Sequence, residues 1–268
     1  MKEYISELMG GKMPTLEDYK NKRVPDPDEK SEEEYEDFGK LICSWGESYT
    51  WMYKINHKGK KVYPLEILLN NTIRLSGDQM ITGWLQHLSN TTCRTGNDIN
   101  NVINDVKNET INSFIKYRYS PGNFIFWPCQ GYTINKARGF SLAIRDRIDL
   151  TLNSLSRWED SKNGNYSGYV YLGKRFDNEK EYLSLFGFKF KNFCEKFKLK
   201  PFLDDNGNVI DLAHSKLSLD SDGNITGEII TVSNNSFNGD FPEDYELYLN
   251  NAIIVINKRN ELLKYLLV

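Results

Sequence analysis

The chain has 268 residues, with 34 Lys+Arg against 37 Asp+Glu, a net charge of −3 at pH 7, 39% hydrophobic and 13% aromatic residues. That length and apolar content exclude a largely disordered chain and allow a sizeable core. The slightly acidic balance offers no general basic field, so nucleic-acid contact is not supported by net charge and would need a local patch.

No run reaches the roughly 18 consecutive apolar residues of a membrane span, so no membrane association is expected. The opening "MKEYISELMGGKMPTLEDYK" has no long apolar run after its basic residue, and no signal peptide is expected either. Cys43, Cys93, Cys129 and Cys194 lie far apart with no C-x-x-C pair. They read as small core residues of a protein in the reducing cytoplasm.

In chain order, residues 1–30 read as an N-terminal arm, with two prolines and acids in "VPDPDEK". From Ser31 a helix is expected: Ser31 and Glu34 form a capping box, and the following apolar residues fall at helical spacing. The run "YTWMYKINHKGKKVYPLEILL" reads as a hairpin about "NHKG". A turn is expected near Gly77, then a short helix around Met80–Leu88. Residues 89–110 are polar and Asn-rich and read as an insertion, whose second half (Ile99, Val102, Ile103, Val106) carries helical spacing.

"GNFIFWP" predicts a buried strand over 123–127. In "NEKEYLSLFG", Asn178 is the expected N-cap, Glu181 completes a capping box and Gly187 is the expected C′ residue. "FKFKNFCEKFKLKP" interleaves Phe and Lys, as a single-strand nucleic-acid surface does. The spacing of Phe190, Phe193, Cys194 and Phe197 instead favours an amphipathic helix that buries its aromatics. "DDNGN" and "DSDGN" resemble calcium loops but lack the alternating ligands and distant Glu, and read as hairpin turns. Pro242 opens a long C-terminal helix. Strands and helices mix without regular alternation, so the fold class is α+β, with 31–268 as a single domain.

Nucleotide-loop, zinc-protease and serine-hydrolase motifs are absent, and no cofactor is identified. His57, His87 and His214 are isolated and read as surface or packed imidazoles. The chemistry therefore concentrates in "GYTINKARGFSLAIRDRIDLTL" (131–152). At about 100° per residue, Ile144, Ile148, Thr151, Leu152, Leu155 and Trp158 share one arc, predicting a long central helix over about 141–159. Arg145 and Asp149 stand at ion-pair spacing. Leu142 and Leu150 lie on the opposite face, so charges there are partly buried and need partners.

Three readings of this stretch stay open. It is an internal ion-pair network, an anion or nucleotide site, or an acid pair, Asp146 and Asp149, that positions water or a divalent metal. For an anion site, Arg138 and Arg147 would hold a phosphate or carboxylate, with Thr133 and Asn135 orienting it.

The run "FIFWPCQGYTINKARGFSLAIRDRIDLTLNSLSRW" resembles a bacterial family defined only as a domain of unknown function, on a core T-I-N-x-A-R-G followed by D-R-x-D-L-T-L. "DPD" (Asp26–Asp28), "LSGD" (Leu75–Asp78), "YLSLFG" (Tyr182–Gly187) and "NKRN" (Asn257–Asn260) extend the resemblance along most of the chain. Ser156 stands where the family often has the first of two arginines. The resemblance implies that Thr133, Asn135, Arg138, Asp146, Arg147 and Asp149 are characteristic of the fold, and implies no reaction. Two functions follow: a cytoplasmic protein that binds or processes a phosphorylated ligand such as a nucleotide or nucleic-acid end, or a non-enzymatic interaction or regulatory module, as in phage–host conflict, with a purely structural cluster.

Overall fold

A computed structural model describes residues 49–52, 54–55, 58–59, 61–62, 66–81, 107–118, 120–128, 147–156, 182, 184–232 and 245–264. The expected arm (1–30), the helix from Ser31, Pro64, the helical spacing at 99–106, Asn178, Glu181 and Pro242 lie outside them.

The α+β class holds. Strands β1 (Tyr49–Trp51), β4 (Glu66–Leu69), β5 (Ile73–Gln79) and β6 (Phe124–Pro128) form an antiparallel sheet in the order β1-β4-β5-β6. The expected hairpin about "NHKG" is present, with β2 (Lys54–Ile55) pairing β3 (Lys61–Val62) inside the β1–β4 pair. Alternation puts Ile67 and Leu69 opposite Leu75 and Ile73, and all four are buried.

Gly77 departs from expectation, because it lies inside β5 opposite Phe126 rather than in a turn. The reversal comes earlier, at Asn70 (φ 49°) and Asn71 (φ 60°), where Thr72 N–H donates to Leu69 O at 3.0 Å. Asparagine tolerates the left-handed region better than most residues, so two in sequence make the tighter turn. Met80 and Ile81 form bends, not the start of the expected helix; the rest of Met80–Leu88 lies outside the described residues.

Helix α1 (Asn108–Arg118) takes the last three residues of the presumed insertion into its first turn. Helix α2 (Ile148–Leu155) corrects the expected long central helix. Arg147 has an extended backbone (φ −78°, ψ 94°) and caps α2, so no continuous helix runs through 141–159. The apolar periodicity crosses this point unbroken, but Arg147 is held by partners distant in sequence. Buried Ile148, Leu150, Leu152, Leu155 and Asn153 show α2 enclosed on both faces, as Leu150 implied.

Helix α3 (Phe190–Lys196) buries Phe190, Phe193 and Cys194, with Phe197 just beyond, and leaves Lys189 and Lys191 exposed. Gly187 occupies the expected left-handed position (φ 60°). Tyr182, Phe186, Phe193 and Phe197 stack edge-on or tilted at 4.9–6.4 Å between centroids. Helix α3 ends in a Schellman arrangement: Leu199 N–H donates to Cys194 O at 2.8 Å and Lys198 N–H to Glu195 O at 3.3 Å.

The two Asp–Gly-type loops are turns, as expected. Asp204 and Asp220 each accept two backbone N–H groups and an asparagine side chain, closing Asp204–Asn208 and the β7 (Lys216–Leu219)–β8 (Ile225–Glu228) hairpin. Helix α4 (Tyr245–Lys264) packs against α1, β7 and the 3₁₀ turn Pro121–Asn123. Among the described residues, no helix is long and apolar enough to cross a membrane.

Candidate functional site

Two buried polar clusters organise the described core. The first is built on Arg147, which is only 2% exposed. Its extended backbone at the start of α2 turns the guanidinium back onto Asp149, which accepts from Nε at 3.1 Å and from an Nη. The same Nη donates to Asp211 Oδ1 at 2.9 Å. The Tyr248 ring of α4 stands 5.9 Å from the guanidinium carbon. Burial opposes the charge, yet Asp149, Tyr248 and Asp211 outweigh it and raise the Arg147 pKa.

Both acids are saturated by further donors. Asp149 accepts the N–H of Leu150 and of Leu212 at 3.0 Å each, and Asp211 accepts the N–H of Ala213 at 2.9 Å. Asn251 of α4 locks the same 212–217 segment by donating to Leu212 O and Ser215 O and accepting from Leu217 N–H. Desolvated charges persist only when matched this completely. The cluster thus joins three segments distant in sequence.

One edge of the cluster meets solvent. His214 Nδ1 lies 2.8 Å from Asp211 Oδ2, and the ring is 46% exposed. A carboxylate on Nδ1 fixes the ring orientation and leaves Nε2 as the outward nitrogen, an arrangement that can take up or give a proton. In sequence His214 is isolated, and neither Asp211 nor its pairing with Arg147 leaves a local signal. Of the other polar groups on α2, Thr151 Oγ1 and Asn153 Nδ2 are buried without a hydrogen-bond partner.

The second cluster surrounds Arg259, which is fully buried on α4. No carboxylate faces it among the described residues. Instead it donates to Phe197 O at 2.9 Å, Gly122 O at 2.9 Å and Phe124 O at 2.6 Å, while its other Nη has no partner. Burial alone pushes its pKa down to about 9. Beside it, Asn260 accepts from Gly122 N–H at 2.6 Å and donates to Ser120 Oγ at 2.9 Å. Asn123 in turn bridges Ile81 and Arg118 O. The "NKRN" run therefore holds the turn that launches β6, and Tyr182 of "YLSLFG" donates to Phe126 O at 2.8 Å in the same strand.

Of the expected site residues, Arg147 and Asp149 come together, in contact with each other. Thr133, Asn135, Arg138 and Asp146 lie outside the described residues, as do Arg145, His57 and His87. No group of three or more His, Cys, Asp or Glu that could hold a metal is found among the described residues.

Residues 15–263 match the model of a family described as a family of unknown function, DUF6994. No curated protein and no solved structure matches the chain.

Proposed function

The chain belongs to the family of unknown function DUF6994, and from that starting point we propose that it serves as a non-enzymatic interaction or regulatory module of the cytoplasm, with an architectural Arg147 cluster. One observation carries this reading: the Arg147 guanidinium is buried and engaged by Asp149 and Asp211, both buried. A guanidinium that serves an incoming phosphate has to keep donors in reach of solvent. The module's partner, in phage–host conflict or another setting, is not specified by these contacts.

A second reading keeps a phosphorylated ligand, a nucleotide or nucleic-acid end, held by Arg138 with Thr133 and Asn135 and acted on beside Asp146 or Asp149. The buried, unpartnered Thr151 Oγ1 and Asn153 Nδ2 favour it, because such atoms call for a partner. The outward His214 ring adds a group able to move a proton.

A thermal-shift screen with nucleotides, polyphosphate and divalent metals on wild type and Arg138→Ala separates the two. The architectural reading expects no ligand-dependent shift. A ligand that stabilises wild type but not Arg138→Ala establishes the second reading instead.

A further inference from the structure

The second half of the described chain carries a cleft of about 630 Å³ between α3, the Asp204–Asn208 turn and the end of α4. That volume is in the usual range of small-molecule sites. Its wall is apolar, formed by Phe190, Cys194, Leu203 and Leu262. Burial, with Glu195 nearby, raises the Cys194 thiol pKa, so this wall stays uncharged.

The rim is charged, and most of its charges are already committed. Lys191 pairs with Glu195 at 3.9 Å, and the Asp204 carboxylate is filled by Asn206 and Asn208. Lys198 and Lys200 have no carboxylate partner among the described residues, and only the exposed Asp205 offsets them. The backbone adds an independent sign. Lys198 sits at the left-handed C′ position of α3 (φ 54°), where glycine is the low-strain residue. The chain accepts strain there and gains a half-buried ammonium on the cleft, a combination typical of binding positions.

We propose that this cleft binds a free anion with an apolar body, a medium-chain carboxylate, with its tail on Phe190, Cys194, Leu203 and Leu262 and its head between Lys198 and Lys200. The site is separate from the Arg147 cluster and does not depend on the role given to it.

Isothermal titration of the full chain with monomeric decanoate tests it, with decyltrimethylammonium and phosphatidylglycerol vesicles as comparisons. Decanoate binds, and the cation of equal tail length binds at least about fivefold more weakly. Lys198→Gly weakens decanoate about fivefold, the loss of one partly exposed ion pair, while raising the melting temperature by removing the left-handed lysine. Lys200→Gln, at an exposed position, weakens decanoate without a folding penalty, and a loss in either variant supports the site. Equal binding of the cation, binding to vesicles alone, unchanged decanoate affinity in both variants, or no decanoate binding overturns it.

Discussion

Arg147 and Asp211, 64 residues apart in sequence, meet at 2.9 Å in the core and bind the start of α2 to the turn that precedes β7. Removing one member of such a buried set leaves the others charged and unmatched. Asp211→Ala and Asp149→Ala are each expected to cost about 3–5 kcal/mol in denaturant unfolding. Replacing Arg147, Asp149 and Asp211 together by apolar residues of similar volume costs less than either single change. If the triple variant is the least stable, the cluster does more than match its own charges.

Gly122 faces the opposite constraint, one of space. A Cβ there would lie 2.3 Å from Ile256 O and 2.7 Å from Asn260 Oδ1. Since the first of these is backbone, Gly122→Ala has to push α4 away from the turn. A loss of about 1–3 kcal/mol or more is expected from chemical denaturation, as for overpacking elsewhere.

Phe193 is fully buried and contacts three other rings. Phe193→Ala should cost about 3–5 kcal/mol. Phe193→Leu, which keeps more of the volume, should cost clearly less in the same unfolding measurement. Equal costs would mean that the ring geometry, and not its volume, is what the cluster needs.

Backbone and side-chain hydrogen bonds from Asn224, with backbone N–H groups of the same turn, hold the Asp220 carboxyl below its ordinary value of 3.8. A depressed carboxylate contributes stability that is present above the unfolded pKa and lost as pH falls through the folded one. The β7–β8 turn should therefore keep its order at neutral pH and lose it only in strong acid. A carboxyl ¹³C titration by NMR should place the Asp220 midpoint below that of an unstructured peptide; a midpoint at or above the peptide value contradicts the turn geometry.

What was legible in the sequence is what neighbouring residues decide. The faces of α3, the C′ glycine at 187 and the two Asx turns follow from short-range spacing and side-chain chemistry, and each appears where the residues put it. The break at Arg147 was not legible, because the apolar period runs on through it while the cause, Asp211, lies elsewhere in the chain. Gly77 misled for a related reason: its turn tendency is local, but its pairing with Phe126 is not. His214 gained its partner through a helical-type turn that a lone histidine does not announce. Half of the site question, Arg147 with Asp149, is answered by contact. The other half, at Thr133, Asn135, Arg138 and Asp146, lies outside the described residues.

The Arg259 contacts also set an order of events. The carbonyls of Gly122 and Phe124 leave the ribosome more than 130 residues ahead of the guanidinium that satisfies them. Contacts of such long sequence separation form late. During synthesis β6 therefore waits, with its apolar side chains and its backbone acceptors uncovered, until α4 arrives. That interval is when the nascent chain is most exposed to aggregation and has most use for a chaperone.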